Sequence, residues 1–135
     1  MPGSVTLQPA PDRPLERQPM ARVLIADNDP DALDLALLDL RLEGHTVLGA
    51  AGGEAALALI PEFQPDVVVL DHRMPPGPTG LAVAQILRSS HPELRLVLHT
   101  NYQNVELMRE AADLGVPLVP KGNLASLRAQ VQQGR

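Results

Sequence analysis

The sequence predicts an α/β domain, a parallel sheet of five strands covered by helices on both faces. Two observations carry this expectation. Short apolar runs recur between segments of helical periodicity, and the runs are continuous rather than alternating, which suits strands buried on both sides. Gly44, Gly52, Gly53, Pro65, Pro92 and Gly115 stand at the proposed boundaries, where residues of these two kinds punctuate a chain. The length, 135 residues, suffices for one domain with an aliphatic core.

Taken in order, residues 1 to 20, MPGSVTLQPAPDRPLERQPM, hold five of the fourteen prolines and no periodicity. Proline fixes φ and lacks an N–H, so this stretch reads as a flexible leader ahead of a domain over 21–135. Strand runs follow at 23–26, 46–50, 67–70, 96–99 and 116–119, with helices near 30–43, 53–61, 79–90, 103–114 and 123–132. In the first helix Asp29 reads as the N-cap and Pro30 as the first helical residue. Leu33, Ala36, Leu37 and Leu40 make one stripe suited to the sheet, while Leu35, Leu38 and Leu42 fall on nearly the opposite side. In the fourth, Glu106, Arg109, Glu110 and Asp113 read as a solvated face. Five strand–helix units make a doubly wound domain, whose ligands belong at the carboxyl ends of the strands.

Composition excludes several functions. Apolar residues are 44% of the chain but aromatics only 1%, Phe63 and Tyr102. The core must be Leu, Val, Ile and Ala, and a base-stacking platform for single-stranded nucleic acid is missing. A formal charge of -5 disfavours a phosphate backbone as partner. Without cysteine there is no disulfide, thiolate metal site or cysteine nucleophile. No apolar run reaches membrane-spanning length, and the N-terminus lacks the apolar core of a secretory signal. A soluble cytoplasmic protein is the expectation, with neither nucleic acid nor membrane as a direct partner.

The strand ends hold the chemistry. Asp27-Asn28-Asp29 follows the first strand, Asp71 the third, Thr100 the fourth and Lys121 the fifth. Such a set supports phosphoryl capture on a carboxylate. Asp71 would attack and become an acyl phosphate. Asp27 and its neighbour would hold Mg2+, a hard cation that prefers oxygen ligands. Thr100 would donate a hydrogen bond to a phosphoryl oxygen. Lys121 would neutralise another, and pair with Asp71 when the site is empty.

At these residues the chain resembles the receiver domain of bacterial two-component response regulators. The matching pieces, from residue 22 to about 132, are VLIADNDP, PDVVVLDHRMP, Gly80-Leu81, LVLHT and LVPK. The resemblance implies a CheY-like, flavodoxin-like sheet in the order 2-1-3-4-5. It implies Asp71 as phospho-acceptor, Asp27 and Asn28 with Asp71 at the metal, and Thr100 and Lys121 as the switch hydroxyl and the amine. The backbone carbonyl of Arg73 would complete the protein ligands. A histidine kinase or phosphotransfer domain would supply the phosphoryl group, and no enzyme activity is expected beyond self-phosphorylation and dephosphorylation. With no output domain after Arg135, the expectation is a single-domain receiver acting on an unidentified downstream protein.

The chain departs from the family at four places. Asn28 stands where a second acid is usual, and a lost unit charge beside a cation costs on the order of 1–4 kcal/mol, so weaker Mg2+ binding is expected. The loop DHRMPPGPTG is one residue longer before Gly80. Asn101 and Tyr102 follow Thr100 where a small residue is favoured, and with Arg73 they would crowd the pocket mouth and slow loss of the phosphoryl group. Leu118 replaces the switch aromatic three residues before Lys121.

Partner surfaces and rival readings complete the expectations. Leu35, Leu38 and Leu42 form a candidate docking ridge, on the helix that in receivers borders the kinase-facing surface. The family's surface of fourth helix, fifth strand and last helix carries output or dimer contacts, so a homodimer is allowed. One alternative is a pseudo-receiver, an interaction module that does not accept phosphate. Another is a haloacid-dehalogenase-like phosphatase using Asp27 and Asp29. It would leave Asp71 idle and lacks acids after Lys121. His45, His72, His91 and His99 show no helical pair at metal-ligand spacing.

Overall fold

The computed structural model describes residues 20–102 and 104–133. The expected leader over 1–20 therefore lies, except for Met20, outside the described residues. Strands β1 (Arg22–Ala26), β2 (Thr46–Ala50), β3 (Val67–Leu70), β4 (Arg95–His99) and β5 (Leu118–Val119) form one parallel sheet in the order β2-β1-β3-β4-β5. Helices α1 (Pro30–Leu42), α2 (Gly53–Phe63), α3 (Gly80–Ser90), α4 (Val105–Asp113) and α5 (Leu124–Gln132) connect and cover them. This is the doubly wound, flavodoxin-like arrangement that the resemblance implied.

The continuous apolar runs have a direct structural cause. Successive side chains on a strand point to opposite faces, and both faces are covered here. Leu24, Val68, Leu70, Leu96 and Leu98 meet Ala56, Ile60, Val83, Leu87 and Leu107 on the side of α2, α3 and α4. Val23, Ile25, Val67, Val69 and Val97 meet Ala36, Leu40, Leu127 and Val131 on the side of α1 and α5. Every residue of β3 is buried. A strand at the centre of such a sheet has no solvent face to make polar.

The ends of the elements follow local chemistry. Asp29 caps α1, its side chain accepting from the Asp31 N–H at 3.1 Å, with Pro30 at the first helical position. On α1 Ala36 and Leu40 are buried and Leu33 and Leu37 pack beside them, whereas Leu35, Leu38 and Leu42 are exposed, as the two-stripe reading expected. Arg95 donates to the carbonyls of Gln130 and Val131 at 2.6 and 3.3 Å, placing a cation on the C-terminal turn of α5, where the backbone carbonyls lack partners.

Two of the boundaries that differ from expectation have a clear physical cause. β5 is a two-residue strand rather than 116–119. Pro117 has no N–H to give to a ladder, although its carbonyl accepts from Leu98 at 2.9 Å. α2 runs past Pro61 to Phe63, because a proline one turn from the end removes a single backbone bond. It stops at Gln64, which takes the left-handed conformation at φ 52° and donates its N–H to Ile60 at 2.9 Å. No described helix is long and apolar enough to cross a membrane.

Candidate functional site

Parallel pairing continues one residue beyond the strands and thereby aligns the polar residues. Asp27 N–H donates to Ala50, Asp71 N–H to Ala26 and Thr100 N–H to Val119, at 3.0, 2.9 and 3.0 Å. Each backbone is therefore fixed at the same edge of the sheet, and the three side chains are buried. Gly80 at the start of α3 keeps this edge close. Its N–H donates to His72 at 2.8 Å, and a Cβ there would run into the Asp71 carbonyl oxygen and lie 3.0 Å from Leu98 Cδ2.

Lys121 joins the two acids. Its Nζ lies 2.8 Å from Asp27 Oδ2 and 2.9 Å from Asp71 Oδ2. The remaining oxygens accept backbone N–H groups, Asp27 Oδ1 from Asp29 at 2.9 Å and Asp71 Oδ1 from His72 at 2.8 Å. Residues separated by up to 94 positions meet within hydrogen-bond distance. Two carboxylates thus share one ammonium, which leaves the cluster one positive charge short.

The proton affinities reflect that shortfall. Burial raises Asp27 above the usual carboxylate value, and the Asp71 charge adds to it, against the lowering effect of Lys121 and the Asp29 N–H. Burial alone would lower Lys121, but its hydrogen bonds to Asp27 and Asp71 outweigh this and raise it. A simple ion pair would lower its acid. Asp27 rises because burial and a second anion act on it together.

The donors present suit a hard divalent cation: two carboxylates short of positive charge, with the exposed Asn28 next to Asp27 in the chain. The second family acid is absent, and the Asn28 Nδ2 lies 3.5 Å from the Pro75 carbonyl. Among the described residues no three His, Cys, Asp or Glu side chains form a metal-binding group.

Aromatic and cationic groups line the mouth. Tyr102 stacks on His72, with ring centroids 5.4 Å apart and planes 14° from parallel. The Arg73 guanidinium carbon lies 3.9 Å from the Tyr102 centroid, a cation–π distance. With Met74, Pro75, Gly77 and Thr79 they line a cleft of about 360 Å³ in the loop that follows Asp71 in the chain. Asn101, expected to crowd the mouth, is exposed and does not line it. Leu118, in the switch-aromatic position, is half-buried.

Two features were not read from the sequence. His99, one residue before Thr100, is buried, its Nε2 has no hydrogen-bond partner among the described residues, and burial with the Lys121 charge pushes it down to about 4. Asn104 caps α4 and also donates to the Tyr102 hydroxyl at 2.9 Å. The cap was legible, since Asn is a favoured N-cap, but the contact with Tyr102 was not.

A parallel doubly wound sheet with two acids and an amine clustered at its carboxyl edge, and a buried threonine at the same edge, is the arrangement of a receiver-type signalling domain. Residues 23–122 match the response regulator receiver domain family, and the chain belongs to it, as a receiver domain of two-component signalling. The chain is 34% identical over 83% of its length to the DNA-binding response regulator MtrA of Mycolicibacterium smegmatis, and 38% identical over 70% to the probable transcriptional regulatory protein TcrX of Mycobacterium tuberculosis. It covers 51% and 39% of those proteins, about half their length in the first and less in the second. Among solved structures, response regulator TrrA of Thermotoga maritima, in complex with Mg2+ and a beryllium fluoride, superposes with a TM-score of 0.76 at 29% identity, over 84% of this chain and 98% of that one. A CheY-like receiver from Methanospirillum hungatei superposes at 0.78 with 23% identity, over 85% and 93%, and shares the fold.

Proposed function

We propose that Asp71 accepts a phosphoryl group from a histidine kinase or phosphotransfer domain and that the resulting state is relayed by protein–protein contact. The observation that carries this reading is the Lys121 ammonium held between Asp27 and Asp71. A bound Mg2+ would shield phosphoryl oxygens and the approaching carboxylate from one another. Asp27, Asn28, Asp71 and the Arg73 carbonyl would hold it. An Asp71 oxygen forms the bond to phosphorus as the bond to the donor's imidazole nitrogen breaks, and the electron pair leaves with that nitrogen. Lys121 then neutralises a phosphoryl oxygen and Thr100 donates to another.

Access differs between reaction partners. Tyr102 and Arg73 line the mouth, so an attacking water is hindered and the acyl phosphate is expected to outlive a free one. The donor would dock on the α1 ridge, where Leu35, Leu38 and Leu42 are 54%, 50% and 77% exposed.

Incubation with Mg2+ and acetyl phosphate tests the reading. We expect the mass of one phosphoryl group on the chain, lost in Asp71→Asn, and decaying more slowly than acetyl phosphate itself. Asn28 and Leu118 favour a second reading, a pseudo-receiver that works without phosphate. A folded chain that stays unlabelled and binds no beryllofluoride would establish it.

A further inference from the structure

We propose, on the basis of the acceptor reading of Asp71, that Tyr102 is a positioning residue that carries occupancy of the site to the first turn of α4. Phe63 lies at the opposite end of the sheet, beneath the Arg22 guanidinium at 4.3 Å. Since the chain holds one Phe, one Tyr and no Trp, Tyr102 alone brings a benzene-type ring to the carboxyl edge. Leu118 leaves the family's usual aromatic position without a ring.

Four contacts converge on Tyr102. Its N–H donates to Thr100 Oγ1 at 3.0 Å. Its ring stacks on His72, whose own N–H is bonded to Asp71 Oδ1, and faces the Arg73 guanidinium. Its hydroxyl accepts from Asn104 Nδ2 at 2.9 Å. Asn104 Oδ1 accepts the Leu107 N–H at 2.7 Å, so one amide holds the ring through its nitrogen and the helix through its oxygen.

The relay follows from these bonds. Thr100 Oγ1 carries one proton and two lone pairs. Turning that oxygen to a phosphoryl group on Asp71 moves it from the Tyr102 N–H, and side-chain rotamers make the move a discrete step. The same group displaces the His72 N–H from Asp71 Oδ1. Both supports of the ring then change together. Its hydroxyl draws on Asn104, and the cap of α4 is altered beside the exposed Val105 and Met108. A ring on the loop after β4 thus takes the place of an aromatic at Leu118.

The experiment uses the full chain with Mg2+ and beryllofluoride, binding being followed by fluorine NMR. Because Tyr102 is the sole tyrosine and there is no tryptophan, tyrosine emission reports this residue alone. We expect the emission to change in step with the bound fluorine signal. With beryllofluoride raised until the fluorine signal of each variant saturates, Thr100→Val should lack that change and Thr100→Ser should restore it. In amide NMR the Leu107 resonance should move on binding, and Tyr102→Phe, which keeps the ring but lacks the hydroxyl, should abolish the movement. A full bound signal with unmoved emission and an unmoved Leu107 amide overturns the relay, as does a Leu107 shift preserved in Tyr102→Phe. No bound signal in the unaltered chain overturns the acceptor reading itself, and the relay with it.

Discussion

At Lys121 one side chain offsets two buried acids. Removing one partner of a buried ion pair leaves uncompensated charge, at a cost of about 3 kcal/mol or more. We expect Lys121→Met to lose about that much in urea unfolding at neutral pH, and added Mg2+ to recover part of it. Because Asp27 is already raised, its folded form binds a proton more tightly than the unfolded chain does. The loss should therefore shrink as acidification protonates Asp27. His99 acts with the opposite sign. Its value falls from 6.5 to about 4, so its stabilising contribution is complete above 6.5 and is lost as pH falls towards 4, a difference of about 3 kcal/mol. His72 is lowered too and adds in the same direction. Unfolding followed against pH should show a shallower acid limb in His99→Leu.

The elements divide into those that build and those that present. α1 does both: Ala36 and Leu40 close the core while Leu35, Leu38 and Leu42 face outward. Contiguous exposed apolar surface is where partner sites are often found. Leu38→Glu should leave stability within about 0.5 kcal/mol and lower the rate of phosphotransfer from a phosphorylated donor by an order of magnitude or more. Labelling by acetyl phosphate, which needs no docking surface, should be unchanged. Equal loss in both assays would place Leu38 in the fold rather than the interface. α5 is tied to α1 by Arg128 and Asp39 at 2.7 Å, which leaves the exposed stripe of α1 free of the last helix.

On the scale of the whole domain, the site joins β1, β3 and the segment after β5, so filling it stabilises the assembly of the sheet. A ligand that binds only the folded state at a hundred times its Kd adds about 2.7 kcal/mol. We expect saturating Mg2+ with beryllofluoride to raise the unfolding free energy by about this amount, and Mg2+ alone by less, since Asn28 supplies no charge. The effect should vanish in Asp71→Asn. A denaturant series with and without the two ions measures it.

Much of this was readable before any coordinates. Continuous apolar runs at β1, β3 and β4 announced a sheet buried on both faces, because a strand covered twice cannot alternate. The polar residues after those runs announced which side chains gather at one edge, because a strand end is where a parallel sheet meets solvent. The pairing of Asp29 with the start of α1 was local and therefore legible. The short β5 and the extension of α2 past Pro61 were less so, since each depends on which backbone bonds the neighbours supply. The sequence by itself determined which residues reach the carboxyl edge, through hydrophobic periodicity and chain order. Only the tertiary structure decided that Lys121 serves two acids at once, that His99 is buried with no partner at Nε2 among the described residues, and that Tyr102 bridges His72, Arg73 and Asn104. Those contacts join segments far apart or across loops, and hydrogen-bond geometry over such gaps leaves no periodic trace in the chain.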